Sequence, residues 1–334
     1  MYQVSVIIPV YKVEKYIERC AISLFEQTLQ SIEYIFVDDC SPDQSINLLK
    51  NILNKYPNRI PNTKIIRHEH NRGLAAARNT GRNIAQGEYI IDCDSDDWVE
   101  PDMYEQMYQI AHKDNTDIVV CDWNEVYFNR TKYIQTNPPQ NNIDCVIALL
   151  SGQMHGSVVN KLIKRDLYRN HNINCTEGMN FLEDLSVTYR LFYYAHSISY
   201  INKPLYNYFK GNVTSYTTTE LSEQTQKGMI LLTKQIEEFF IRENCENQAL
   251  KQSIAFFKLG VKSTILLGTK HSIKTNNLHI KHTLKNILSH PTLPITFKVA
   301  LLLDYLHLKR CIRILTHFKS ILAKRKIKRS IVKI

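Results

Sequence analysis

Tyr89-Ile90-Ile91-Asp92-Cys93-Asp94-Ser95-Asp96-Asp97-Trp98-Val99-Glu100-Pro101-Asp102 decides how this chain is read. A β-branched apolar run ends in a burst of aspartates, and Pro101 then opens a helical pattern. Extended backbone sends alternate side chains to opposite sides, so Asp94 and Asp96 are expected to face the same way, about 6–7 Å apart, with Ser95 turned away. Two carboxylates on one side of a buried strand's carboxyl end repel each other unless a cation lies nearby. Hard oxygen donors suit Mg²⁺ or Mn²⁺ shared with a substrate phosphate. An isolated Asp-x-Asp is more often a solvated acidic turn, but this one ends a hydrophobic strand, where open α/β sheets place their ligands. Asp92 falls on the same side but deeper, as a structural residue.

Working outward, the apolar run at 4–10 reads as a short buried strand, and 32–37, 64–68 and 88–93 as the second, third and fourth strands. Helical spacing fills 14–29, a segment from Ser41 to about Tyr56, and 74–86, with Gly87 as the stop. Ser41-Pro42-Asp43-Gln44 has the order of a capping box with proline in the first turn. A helix at 101–112 and a fifth strand at 117–122 continue the alternation. The expected fold is α/β, a doubly wound, mainly parallel sheet with helices on both faces and right-handed crossovers. Beyond it, 127–142 carries Pro138-Pro139 and reads as a mobile loop or irregular hairpin. Helices at 143–150 and 182–194, strands at 158–163 and 198–209, and a Thr-rich loop at 210–219 follow. From Ser222 onward the period is helical.

Composition fits a folded protein of one large domain or two: 334 residues, 44% hydrophobic and 22% charged. Eight cysteines stand singly with no C-x-x-C pair, which suggests reduced core thiols in a cytosolic protein rather than a disulfide or zinc framework. No signal peptide and no apolar stretch long enough to span a bilayer are read from the sequence. The net charge of +10 lies in the tail, where ten Lys and Arg follow Asp304 with no further acid. The rest of the chain is neutral overall.

Five motifs occur in order: V-S-V-I-I-P-V-Y, V-D-D-C-S-x-D, N-R-G-L-A-A-A-R-N-T-G, G-E-Y-I-x-x-x-D-S-D-D-W and an E-D pair. Together, over residues 1–215, they resemble family 2 glycosyltransferases. The resemblance implies a GT-A fold in which 1–122 binds a nucleotide sugar and 123–215 the acceptor, followed by a helical region at 216–334. It implies inverting transfer from a nucleoside-diphosphate-sugar, with UDP as the expected nucleotide, to a hydroxyl of a glycan or lipid-linked saccharide in cell-surface polysaccharide assembly. A divalent metal, Mn²⁺ or Mg²⁺, is implied as cofactor. The chain departs from the family at Lys12, where Asn is more usual.

Residue by residue, Pro9, Val10 and Tyr11 end the first strand, where Tyr11 would lie against a base. The aspartate matching Asp39 faces the nucleobase in the family, and a carboxylate is a natural acceptor for an imide N–H. Asp38 either shares that role or caps the following turn. Arg72 and Arg78 can neutralise diphosphate, although Arg78, inside a helix, could equally pair with an acidic strand end. Gly73 permits a tight turn and close backbone approach. Asp96 is the expected direct metal ligand. Asp94 holds the ribose or shares the metal, Ser95 lies beside the donor, and Asp97 is an outer partner or alternative ligand. Glu183-Asp184 matches the family's E-D pair, giving Asp184 as general base with Glu183 on the acceptor side, although acids also favour a helix's first turn on electrostatic grounds alone. Lys210 and Ser215 lie where relatives carry a basic residue that closes over phosphates, and an ordinary surface lysine fits equally.

Leu308, Ile312, Leu315, Phe318 and Leu322 form a helical stripe opposite most of the tail's basic residues. An anionic membrane surface, packing on the body, and nucleic acid are its three possible partners; no base-reading motif supports the last. The expected location is cytoplasmic, with peripheral attachment to the inner face of the membrane. Two competing functions remain: a sugar-1-phosphate nucleotidyltransferase, against which stands the lack of a Gly-rich Arg/Lys loop after the first strand, and a non-catalytic nucleotide- or membrane-binding scaffold.

Overall fold

Val4–Val10 (β1) is buried at every position, because a neighbouring strand flanks each edge and helices cover both faces. The structure, a computed structural model, describes residues 2–179, 181–212, 221–268, 284–308, 310–312 and 314–316. It divides into two compact units, Met1–Leu149 with Met154–Thr218, and Leu150–Gln153 with Thr219–Ile334.

In the first unit the order is β1, α1 (Ile17–Phe25), β2 (Ile32–Asp38), α2 (Ser45–Leu53), β3 (Thr63–Arg67), α3 (Leu74–Ile84), β4 (Tyr89–Asp92), β5 (Trp98–Val99), α4 (Met103–Lys113) and β6 (Ile118–Tyr127). Then come β7 (Arg130–Ile134), α5 (Asn142–Leu150), β8 (Lys161–Lys164), α6 (Arg165–Asn170), α7 (Glu183–Tyr194) and β9 (Ile198–Phe209). The sheet runs β3-β2-β1-β4-β8-β6-β9-β5, with β7 paired to β6. Strands β3, β2, β1 and β4 are parallel, as expected for βα repeats. Beyond β4 the sheet is mixed: β8 joins β4 and β6 antiparallel, whereas β9 runs parallel to β6.

Val4, Val6, Ile8 and Val10 share one core with apolar residues of α1, α2 and α4. Ile7 faces the other way, onto α3, where Gly81 has no room for a Cβ: one would run into Ile7 Cγ2. Helices therefore cover both faces, which buries β1 completely. Arg59, itself buried, donates to the carbonyls of Phe25, Gln27, Leu29 and Gln30, satisfying one group at the end of α1 and three in the loop that follows it.

Several expectations need correction. No capping box forms at Ser41, and α2 begins three residues later than that pattern implies. The Asp43 carboxylate accepts from Ser45 N at 3.1 Å and Ser45 Oγ at 2.6 Å, while Ser41 Oγ accepts from Lys12 N at 2.8 Å. These side chains tie a loop instead of opening a helix. Residues 127–142 begin as a regular hairpin, since β6 and β7 pair down to Tyr127 and Arg130. Gly87 acts less as a helix stop than as a point of contact: a Cβ there would stand 2.5 Å from Ser5 N. The two-residue strand β5 and the single-turn-and-a-half α6 are too short for periodicity to reveal.

The second unit contains α8 (Glu223–Arg242), α9 (Gln248–Gly268), α10 (Leu284–Ser289) and α11 (Ile295–Tyr305). Ser222 caps α8 by accepting from Thr225 N at 3.1 Å. Leu259, Ile287 and Leu301 join three of the helices in a small core. No described helix is long and apolar enough to cross a membrane. Ser215, most of the loop at 210–219, and the tail from residue 317 with Phe318 and Leu322 lie outside the described residues.

Candidate active site

The parallel strands deliver their carboxyl ends side by side. Val10 pairs with Asp38, and Asp39 N donates to Val10 O at 3.0 Å; on the other edge of β1, Cys93 N donates to Ile7 O at 2.9 Å. Register alone thus sets the Asp38-Asp39 and Asp92-Asp94 groups on either side of one strand.

Asp39 is buried and organises the turn into α3. Its Oδ1 accepts from Arg72 N at 2.7 Å and His68 Nδ1 at 2.8 Å, and its Oδ2 from Gly73 N at 2.8 Å. Gly73 has φ +88°, a conformation open to glycine without steric cost. Asp38 takes the capping alternative, accepting from Ser41 N at 2.8 Å. Arg72 reaches Glu177 at 3.1 Å near the surface.

Arg78, in α3, is 1% exposed and sits among four carboxylates. Its guanidinium lies 2.8 Å from Asp94, 2.9 Å from Glu183 and 3.5 Å from Asp92, and it also bonds Asp184. This is the buried pairing with an acidic strand end, not an arginine held open for phosphate. Arg82, one turn on, holds Asp92 at 2.8 Å. Leu182, just before α7, adopts φ +64°, and the two acids follow at once in the helix's first turn. Leucine rarely takes that conformation, so the strain marks a position held by its surroundings.

After β4 the chain does not stay extended. Asp97 N donates to Asp94 O at 3.1 Å, closing a turn with Ser95 and Asp96 at its corners. The equal-facing geometry expected for Asp94 and Asp96 on a strand is therefore replaced by a β-turn, which Ser and Asp favour. Asp97 lies innermost, accepting from Tyr206 Oη at 2.7 Å and Phe209 N at 2.8 Å. Tyr206 Oη also accepts from Asp94 N at 3.2 Å, and Asn212 donates to the Asp96 carboxylate at 2.8 Å. Arg19 donates to Asp96 O at 3.0 Å with its guanidinium 3.7 Å from the centre of the Trp98 ring.

Burial, before any neighbouring charge, pushes the carboxyls of Asp94, Asp96 and Asp97 above the usual range, and repulsion within the cluster adds to it. Glu183 is raised to about 7 by burial and by Asp184. Arg78 and Arg82 face more acids than they can balance, so the cluster would welcome further positive charge. Asp94 and Asp96 fit a hard divalent cation of the kind that uses one or two protein carboxylates and completes its shell with phosphate oxygens. Among the described residues no three side chains are placed to ligate one metal ion, so protein alone does not build a closed cage.

Pro9 and Val10 are buried in β1, Tyr11 is exposed at its end, and Ser95 is buried in the turn. Lys210 stands apart from the acids, 3.5 Å from Glu125 and over the Tyr208 ring at 4.1 Å. Four residues of this region escaped the sequence reading: Arg19, Tyr206, Asn212 and Lys161. Lys161 is fully buried, donating to His155 O at 3.3 Å, Ser157 O at 2.5 Å and Asn160 Oδ1 at 2.8 Å. A lysine inside the apolar run before α6 was the one available signal.

Residues 5–171 match the sequence model of Glycosyl transferase family 2. EpsH of Bacillus subtilis (strain 168), a candidate glycosyltransferase, is 37% identical over 212 residues, covering 61% of this chain and 60% of EpsH. The chain thus spans less than two thirds of that relative. The poly(ribitol-phosphate) beta-glucosyltransferase of Bacillus spizizenii (strain ATCC 23059 / NRRL B-14472 / W23) is 30% identical over 203 residues, 59% of this chain and 30% of that protein. Among solved structures, S. aureus TarS 1–349 in complex with UDP-GlcNAc superposes with a TM-score of 0.66 at 22% identity, covering 94% of this chain and 89% of that one. That likeness is one of fold: a GT-A-type sheet with helices, followed by a helical region.

Proposed function

The chain belongs to glycosyltransferase family 2, and from that premise we propose an inverting transfer of a sugar from a UDP-sugar to a hydroxyl of a saccharide or lipid-linked saccharide in cell-surface polysaccharide assembly. The observation that carries the mechanism is the meeting at Arg78 of Asp94, from the turn after β4, with Asp184, from the start of α7. One guanidinium ties the donor-side acid to the base. The choice of UDP draws support from the complex of TarS with UDP-GlcNAc, and the polymer acceptor from the poly(ribitol-phosphate) beta-glucosyltransferase.

In this reading Asp184 takes the proton of the acceptor hydroxyl as its oxygen attacks the anomeric carbon from the side opposite the diphosphate. Arg78 fixes the carboxylate's position, and Glu183 shares that guanidinium on the acceptor side. Asp39 spends three of roughly four lone-pair sites on His68, Arg72 and Gly73, leaving one for a base imide N–H. Pro9, Val10 and Tyr11 border the base, and Asp38 holds the turn beside it through Ser41. Arg72, whose partner Glu177 lies at the surface, is the basic residue offered to the diphosphate, because Arg78 is buried among carboxylates and Lys210 pairs with Glu125 away from the acids. Mn²⁺ or Mg²⁺ held by Asp94 and Asp96 would stabilise the charge that grows on the leaving diphosphate. Asp97, bonded to Tyr206 and Phe209, shapes the turn from behind. The first unit carries this chemistry, and the protein works at the cytoplasmic side of the membrane.

A screen of UDP-, GDP- and TDP-sugars for metal-dependent thermal stabilisation identifies the donor, since a ligand that binds the folded state raises its apparent stability. With that donor, Asp184→Asn should lower transfer roughly 10²–10⁴-fold while nucleotide affinity stays the same. Near-normal turnover in the variant removes Asp184 from the role, and no stabilisation by any nucleotide sugar removes the function.

A further inference from the structure

Helices α10 and α11 leave an apolar face in solvent. Fourteen large hydrophobic side chains are exposed among the described residues, and eight of them lie between Leu284 and Ile314. Leu284 and Leu288 stand one turn apart on α10. Ile295, 79% exposed, and Val299 stand one turn apart on α11, and Leu306 follows the same stripe at its end. Ile287 and Leu301 of the same two helices point inward to the small core. Scattered apolar residues need no explanation, but apolar residues left exposed at one-turn spacing on two successive helices mark a contact.

Charge narrows the kind of partner. From residue 284 to the end of the sequence Asp304 is the only acid, and it turns onto Lys262 of α9 at 2.6 Å. Lys285 and Lys298 accompany the apolar face, and ten Lys and Arg follow Asp304 in the sequence. The partner must therefore be apolar and anionic at once. Nucleic acid would answer the charges and leave the leucines and isoleucine in water. A second copy would cover the apolar side chains but bring two basic tails together. A lipid surface with anionic headgroups answers both features.

We propose that the exposed face of α10 and α11 docks the protein on an anionic lipid surface. The docking requires none of the catalytic assignments above, so its test is independent of them. The face supplies apolar insertion to headgroup depth. The basic residues supply attraction, roughly fivefold in affinity for each one brought near the lipid, and that part weakens as salt screens it.

The test is co-sedimentation of the full chain with vesicles of phosphatidylcholine alone and of phosphatidylcholine mixed with phosphatidylglycerol, at low and high salt. The expected result is binding to the mixed vesicles only, reduced by salt. Ile295→Glu with Val299→Glu should cut that binding on the order of tenfold or more; unchanged circular dichroism shows that the variant folds. A second variant, Lys326→Glu with Lys328→Glu and Arg329→Glu, keeps the apolar face and should also lose binding. Absence of binding to the mixed vesicles at low salt overturns the proposal. So does binding indifferent to the glutamates on α11, or displacement of the vesicles by competing RNA. A dimer in light scattering that the α11 variant abolishes, without vesicle binding, would assign the face to self-association instead.

Discussion

Arg78 holds Asp94 at 2.8 Å across the gap between α3 and the turn after β4, and both partners belong to elements whose positions β1 dictates. Sequence places the two residues sixteen apart, yet the βα crossover returns them to one point. The same guanidinium reaches α7 through Glu183 and Asp184. A residue of α3 thereby fixes the two acids that open α7.

Replacing Arg78 tests that linkage directly. In Arg78→Met, Asp92, Asp94, Glu183 and Asp184 lose a common counter-ion inside the protein, and breaking a buried pair from one side costs about 3–5 kcal/mol. Urea unfolding should show that loss. Arg78→Lys should recover only part of it, because a single ammonium cannot present the several N–H groups that these carboxylates share. A loss below about 1 kcal/mol for the methionine variant would mean that the cluster is solvated rather than buried.

Lys161 gives the protein a measurable response to alkaline pH. Burial lowers its pKa from 10.5 to about 8. Between those values the unfolded chain keeps a proton that the folded protein releases, so stability rises with pH; the cost of the buried charge is complete below about 8 and fades toward 10.5. Relative to Lys161→Met, the wild type should gain up to about 3 kcal/mol from neutral pH to the top of that window, since each tenfold change in proton affinity is worth about 1.4 kcal/mol. Chemical denaturation of both proteins across the range measures the difference. A pH-independent difference would place the ammonium in contact with water.

The parallel half of the sheet was legible because β1, β2 and β4 are buried on both faces and carry mostly apolar residues, while β3, half-buried at the edge, shows only the pair Ile65-Ile66. Strand β9 was equally clear from its length. Pairing beyond β4 was not, because nothing in Lys161–Lys164 says that it will insert between β4 and β6. At the site, motif residues showed where the acids lie but not what holds them. Tyr206 is 109 residues from Asp97, and a tyrosine in the middle of a strand has no local feature that distinguishes a clamp from core. The extended reading of Asp94 and Asp96 failed for a local reason: Ser and Asp at turn corners outweigh strand continuity once the apolar residues stop.

Lys12 departs from the Asn usual in the family at a position with φ +54°. Left-handed backbone presses Cβ against the following carbonyl, and Asn tolerates it better than lysine because its short side chain bonds locally. Lys12→Asn should therefore stabilise the protein by about 1 kcal/mol or a little less, read as a higher urea midpoint at unchanged slope. The side chain itself carries little, since the contact that fixes the turn is its backbone N–H on Ser41 Oγ at 2.8 Å. An unchanged midpoint would indicate that the loop relaxes out of the left-handed region.

Tyr206 and Asp97 form the last test, because their bond joins β9 to the acidic turn. The tyrosine hydroxyl donates to Asp97 Oδ2 at 2.7 Å and accepts from Asp94 N at 3.2 Å, all within the interior. Tyr206→Phe keeps the ring and deletes only the hydroxyl, leaving a buried carboxylate oxygen and an amide without that partner, at a cost of about 1–3 kcal/mol. Asp97→Asn removes the charge that the hydroxyl serves. If the two act as one unit, the double variant should lose less than the sum of the single losses, by about 1 kcal/mol or more. The turn they hold also carries Asp94 and Asp96, so Tyr206→Phe should weaken metal-dependent nucleotide binding more than metal-free binding. Additive stabilities together with equal losses in both binding modes would reduce the bond to ordinary packing and free the turn from β9.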